Sequence, residues 1–263
     1  MAFKLGNFSF DEILFATGEQ NDKLLFTLDQ LTNASIEVSA ESTDFTDKKG
    51  NVWRKSYRAK TGTMSASSAM IHYQILSLAS GSAPQFAGVG NPIQMPKFVQ
   101  IKPGQSVDVS DAKTGSIQMI GVYGDGGNEE AKTAEEIAAM ISGDILTAPT
   151  KVADGPTSYV VTYERDSEKG VKIINSADEF PSSYKLTLFC SYAPLCNEDG
   201  ELQAAYVVFP NFQPDPNQTI SLDSETQEID FNGTLNVDYC GDEKTLYIIY
   251  IPGEGIKTGV VNP

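Results

Sequence analysis

The sequence predicts a mainly β protein, a sandwich or barrel with one or two short flanking helices. Three observations lead there. Short runs with alternating apolar and polar residues recur along the chain, the signature of half-buried strands. Clusters of Gly, Pro, Asn and Asp separate these runs, as in antiparallel all-β domains. Only two stretches carry an apolar stripe at helical spacing, and both are short. With 263 residues, the chain can bury roughly 70–75% of its unfolded surface without disulfide staples. One domain over 1–263 is expected, with 124–157 as an insertion or connector.

Taken in order, "KLLFTL" (23–28) and "ASIEVSA" (34–40) read as strands joined through "DQLTN". "DKKGN" (47–51) is a hairpin turn in which Gly50 and Asn51 tolerate positive φ, and "VWRKSYRAK" (52–60) is the returning strand. Ser67 or Ser68 then caps a helix over 67–80, whose stripe is Ile71, Ile75 and Leu78 and whose end is Gly81. Further strands are expected at 97–101, 106–110, 116–123, 158–164, 170–175, 184–192, 202–209, 218–222, 226–231, 234–239 and 244–251. A second helix spans 133–142, opened by a Thr133/Glu136 capping box and closed by Gly143. "TAPTKVADGPTS" (147–158) reads as a connector between two β-rich parts.

Charge narrows the function. The net charge is −16, which argues against a protein that grips a phosphate backbone through Lys and Arg. The acid is concentrated late: from Tyr184 to Pro263, twelve acids face three cations (Lys185, Lys244, Lys257), a net of −9. The cations are concentrated early: Arg54, Lys55, Arg58 and Lys60 fall within seven residues. No apolar run approaches the roughly 20 residues of a membrane-spanning helix. The start, "MAFKLGNFSFDEILF", lacks the basic and apolar regions of a signal peptide, so the cytoplasm, or a particle assembled there, is the expected compartment.

Catalytic chemistry finds little to stand on. His72 is the one histidine, so any His-based triad or mixed His/Cys zinc site would depend on it alone. It is expected to be structural. Cys190, Cys196 and Cys240 include no Cys-x-x-Cys pair and read as small buried hydrophobes. "DGGNEE" (125–130) has oxygen ligands without the spacing of a calcium loop. "GEGIKTG" (253–259) follows a strand but leads into no helix, so it lacks the backing of a phosphate loop. Adjacent carboxylates such as Asp11/Glu12 and Glu135/Glu136 read as solvated. The sequence predicts no enzyme, no cofactor and no metal. A strand-rich chain of this kind, with long polar loops, needs partners to cover its sheet edges.

The stretch "TDKKGNVWRKSYRAKTGTMSASSAMIHYQILSLASG" (46–81) resembles the hairpin and following helix of tail-tube (major tail) proteins of long-tailed bacteriophages. "KGVKIINSADEFPSSYKLTLFC", with "ELQAAYVVFPNFQPDPNQTISLDSETQEIDFNGTLNVDYC" and the strand Leu246–Tyr250, is similar to the second half of the same family. The resemblance implies a tail-tube domain that assembles as hexameric rings stacked into a hollow tube. Partners would be further copies of the chain and other tail proteins: tape measure, baseplate or tip and terminator, with a sheath if the tail is contractile. DNA would pass through the lumen without specific binding, and the place would be the virion tail, assembled in the cytoplasm of the host bacterium. Arg54, Lys55, Arg58 and Lys60 would then meet carboxylates of a neighbouring subunit. Asp223, Glu225, Glu228, Asp230 and Asp238 would face the lumen, because a wall of like charge repels the duplex. Two alternatives share the composition: a virion decoration or carbohydrate-binding adhesin sandwich, for which Trp53 is the aromatic candidate, and a tube subunit of a contractile injection system.

Overall fold

The computed structural model describes residues 7–29, 31–68, 70–194, 202–220, 228–237 and 244–252. In chain order the elements are β1 (Phe8–Gln20), β2 (Lys23–Leu28), β3 (Leu31–Thr46), β4 (Val52–Ser68), α1 (Tyr73–Ser80), β5 (Gln85–Phe86) and β6 (Ile93–Ile101). There follow β7 (Ser106–Asp108), β8 (Gln118–Val122), α2 (Ala134–Met140), β9 (Ile141–Ser142), β10 (Ile145–Thr147), β11 (Ser158–Ser167) and β12 (Val171–Lys172). The last four are β13 (Tyr184–Pro194), β14 (Gln203–Pro214), β15 (Ile229–Leu235) and β16 (Ile248–Tyr250). The protein is mainly β, as the alternating runs predict, with two short helices.

The chain divides into two compact units, Met1–Pro84 with Ile173–Pro263, and Gln85–Lys172. The segment 124–157, expected as an insertion or connector in one domain, lies inside the second unit together with the strands that flank it. "TAPTKVADGPTS" likewise belongs to that unit rather than joining two halves.

The first unit is one antiparallel sheet in the order β2-β1-β13-β14-β15-β4-β3, with β16 on β14. Its core gathers Ala16, Phe26 and Leu28 from the first two strands, and Leu186, Leu188 and Cys190 from β13. Val207, Phe209 and Phe212 from β14 join them, with Phe231 and Leu235 from β15 and Met64 and Ala66 from β4. Helix α1 adds Ile75, with Leu76 and Leu78 packed beside it. β1, next to last at one side of the pairing order, touches β3 at the other end, so the sheet curls around this core.

Two differences from the sequence reading have a packing cause. The Ser/Ala run 65–68 is not the start of a helix. It is strand, paired on one side with β15 and on the other with β3. Met64, Ala66 and Ser68 are buried there while Ser65 is exposed, a period-2 burial that a helix would not give. Helix α1 therefore begins only at Tyr73, with His72 as an N-cap that makes no side-chain capping bond, and it ends at Gly81 (φ 73°) as expected. Likewise "FNGTL" is not a break between two strands but the body of β15. A Cβ on Gly233 would lie 2.3 Å from the Phe212 ring and 2.5 Å from the Gln213 carbonyl oxygen. The glycine is there to let the ring close the core, not to turn the chain. Residues 218–220, expected as strand, are not strand. Gly143 (φ 63°) turns the β9–β10 hairpin instead of closing α2.

The second unit holds two three-stranded sheets, β6-β11-β8 and β7-β10-β9, and the two-stranded pair β5–β12. Its core is Ile101, Met119, Leu146, Tyr159 and Val161 with Ile137 of α2. The capping box reads as predicted: the Glu136 N–H donates to Thr133 Oγ1, and Glu136 Oε2 accepts from the Thr133 N–H at 2.8 Å. On this unit Asp111 accepts from the Tyr163 hydroxyl at 2.7 Å, from Lys97 at 3.1 Å and from Arg165 at 3.2 Å. The Tyr163 hydrogen bond, aided by those two cations, draws the Asp111 carboxyl down to about 2.

Gly233→Ala should lower stability in urea unfolding by about 1–3 kcal/mol, the usual range for overpacking a filled core. The Asp111 carboxyl titrates lower in the folded chain than its unfolded value of about 3.9. Its contribution is therefore complete above that value and is lost as the pH falls toward about 2. Asp111→Asn should accordingly be less stable than wild type near neutrality, with a gap that narrows steadily in acid unfolding.

Candidate functional site

The most exposed element of the first unit is the ribbon formed by β3 and β4. Near the core, β4 is flanked on both sides, by β3 and by β15 over Gly62–Ser68. Beyond Thr61 it pairs with β3 alone among the described residues. From Thr32 to Thr61 every residue except Ser56 is exposed. Isolated two-stranded ribbons are marginal in water, and their open edges are pairing sites for other chains.

Register divides the ribbon into two unlike faces. Residues directly opposite in an antiparallel pair share a face. Ile36 lies opposite Met64, Val38 opposite Gly62, Ala40 opposite Lys60, Ser42 opposite Tyr57 and Asp44 opposite Lys55. Met64 is fully buried, so this face is the core face continued into solvent, and Ile36, Val38 and Tyr57 (67% exposed) lie bare on it. The other face carries Glu37, Ser39, Glu41, Thr43 and Phe45 opposite Thr63, Thr61, Arg58, Ser56 and Arg54. It is polar and rich in hydroxyls, with Ser39 Oγ 2.9 Å from Thr61 Oγ1. It continues across β15 as Asp230, Asn232 and Thr234, which pair with Ser67, Ser65 and Thr63.

The tip is held rigidly. Asp47 Oδ1 accepts from the backbone N–H of Lys49 at 2.8 Å and of Asn51 at 2.9 Å, and Oδ2 accepts from the Asn51 side chain at 3.0 Å. These bonds, led by the Asn51 side chain, hold the Asp47 carboxyl below the usual range. Gly50 (φ 86°) supplies the left-handed residue; of the two candidates, Asn51 serves through its side chain instead. Behind the turn Trp53 is bulged out of register and 68% exposed, its ring 6.1 Å from that of Phe45. The Arg54 guanidinium sits 5.9 Å above the Phe45 ring.

The four predicted interface cations are thus brought together on one ribbon but split between its faces. Lys55 and Lys60 share the apolar face, Arg54 and Arg58 the polar one. They are also not bare charge: Lys55 sits 3.7 Å from Asp44, and Arg58 lies opposite Glu41. Of the predicted lumen acids, Glu228 and Asp230 are exposed, and Asp230 stands on the hydroxyl-rich face. Asp223, Glu225 and Asp238 lie outside the described residues, as do Cys196, Cys240 and "GEGIKTG". Cys190 is buried on β13, and burial pushes its thiol up to about 11.

Sequence reasoning missed the apolar ribbon residues and a second feature, an open slot between β1 and β3. β2 covers β1 only from Ala16 to Gln20, which leaves the first half of β1 facing β3 across a gap. The slot has a volume of about 620 Å³. Its floor includes Leu31, Leu188, Cys190 and Val207, and Phe10, Ile13 and Ile36 flank it. Asp11, Glu12 and Asp29 also line it. Asp29 lies 3.7 Å from His72 Nε2. Among the described residues no Lys or Arg pairs with Asp11 or Glu12. β1 itself went unread as a strand, because bulges between Phe10 and Phe15 break the alternation of "FSFDEILF".

A curled antiparallel sheet that runs out into a bare ribbon makes this a β-rich protein. The model of the YomU/Tube protein family matches residues 13–250, and the chain belongs to that family, one of phage-type tube proteins. No curated protein matches the chain. Among the described residues no helix is long and apolar enough to cross a membrane.

Replacing Asp47 with Ala should leave the fold intact while loosening the tip. In amide hydrogen exchange, Lys49 and Asn51 should lose protection, and the amides of β13 should keep theirs.

Proposed function

We propose that this chain is the structural subunit of a bacteriophage tail tube. Copies self-assemble into stacked, hexameric rings whose channel delivers DNA, and the chain serves no catalytic step. The observation that carries the reading is the ribbon. It exposes the continuation of the core face, it has open edges, and the described residues of its own chain leave it uncovered. A neighbouring copy supplies the missing cover.

Magnitudes assign the roles. Burying a side chain such as Ile36, Val38 or Tyr57 contributes roughly 1.5–3 kcal/mol each. A rim ion pair contributes about 0–1 kcal/mol. The apolar face therefore holds the contact, and Arg54, Lys55, Arg58 and Lys60 fix partner and register. The hydroxyl-rich face where β15, β4 and β3 run side by side, short of Arg54 and Arg58, is the candidate lumen wall. Short hydroxyls offer a sliding duplex no cationic grip, and the predicted acids Asp223, Glu225, Glu228, Asp230 and Asp238 add repulsion within a Debye length of about 8 Å. The tape measure, tip or baseplate and terminator are the further partners this role requires, with a sheath if the tail is contractile, all within the virion.

Negative-stain microscopy of the purified chain should show rings or tubes; a strict monomer at every concentration and salt would refute the reading. Charge reversal needs a control, because Lys55→Glu and Arg58→Glu also oppose Asp44 and Glu41 within the ribbon. The triple variant Arg54→Glu, Lys55→Glu, Arg58→Glu should abolish tubes while circular dichroism stays native. The exchange Glu41→Arg with Arg58→Glu keeps the cross-strand pair and should retain more assembly than the triple variant does.

A further inference from the structure

The slot between β1 and β3 is a sizeable concavity of the first unit, and the tube role by itself assigns it nothing. We propose that it receives the tip of the β3–β4 ribbon from a second copy of this chain. This rests on the tube reading and specifies where the ribbon lands.

Three features of slot and tip fit each other. The slot has an apolar floor, including Leu31 and Leu188, with Phe10 at its side, and the tip presents Trp53 and Phe45 as an exposed aromatic pair. Exposed aromatics anchored in a pocket dominate protein interfaces. The slot brings Asp11, Glu12 and Asp29 together, while the tip carries Lys48, Lys49 and Arg54. In a chain of net charge −16, few other surfaces could complement that acid. Finally, the slot lies where the sheet fails to close, between the uncovered half of β1 and the outer strand β3.

The occupant cannot be the ribbon of the same chain. Ile36 already lines the slot, and from there an extended strand carries the tip roughly 45 Å away, at about 3.3 Å per residue. Tip and slot are different patches of one chain. Their contact is therefore heterologous, the kind that closes into rings or runs on as filaments.

The test uses the full-length chain and measures the lowest concentration at which tubes form. Asp11→Lys with Glu12→Lys, and separately Lys49→Glu with Arg54→Glu, should each raise that concentration about tenfold or more, as loss of a close interfacial charge pair predicts. Combining the two sets should restore assembly at least in part, a rescue that a merely misfolded variant would not give. Mixing a Glu12→Cys chain with a Lys49→Cys chain under oxidation should yield a disulfide between the two, mapped by mass spectrometry. Normal tubes formed by the slot variant at unaltered concentration, or a slot cross-linked only to some other segment, would overturn the docking and leave the tube reading standing. A wild-type chain that never assembles would remove both.

Discussion

The structure depends on an imbalance of cover: a strand pair needs more neighbours than its own chain gives it. β3 and β4 begin as ordinary members of the sheet, with Met64 and Ala66 in the core, and end as a ribbon with water on both faces. Only the inward-facing backbone groups of the ribbon bond within the pair, the outward-facing ones are left to water, and its apolar face has no second layer. Everything near the tip reduces the entropy left in such an element. The Asp47 carboxylate fixes the turn, the tilted rings of Phe45 and Trp53 lie side by side behind it, and Asp44 steadies Lys55. A pre-ordered ribbon loses less freedom on docking than a loose loop would, which favours association.

The two faces of the ribbon follow from one register. A bulge at Ala59 (φ 42°) adds a residue to β4 between the pairs Ala40–Lys60 and Glu41–Arg58. Without it, Tyr57 and Lys55 would move to the hydroxyl-rich face, since a one-residue slip reverses every side chain beyond it. The bulge therefore decides which side chains the ribbon offers on each side, although Ala59 itself is exposed.

Much of the fold was legible in the sequence, and the misses have a common source. Strands that alternate or nearly so, such as "KLLFTL" and "ASIEVSA", were readable, as were "VWRKSYRAK" from the turn before it, the capped helix at Thr133 and the turn at Gly50. What failed was decided by distant partners. Ser65–Ser68 looks like a helix start until β15 and β3 close on either side of it. Gly233 looks like a turn until the Phe212 ring is placed beside it. β1 hid behind its own bulges. For the site, local composition located the cations but not their faces, because facing depends on a bulge that leaves no local mark. The slot was out of reach, since its lining comes from four strands far apart in the chain.

The β5–β12 pair bears on how such a protein could change over time. Val171 lies opposite Phe86 and Lys172 opposite Gln85, so the second unit starts and finishes on two adjacent, hydrogen-bonded strands. A module tied off in this way has its entrance and exit side by side. Excising it would ask for only a short splice between Pro84 and Ile173, and lengthening it would add little closure entropy, which grows only slowly with loop length. The second unit is thus placed to be traded, enlarged or dropped by recombination while the sheet that carries the ribbon keeps its connectivity.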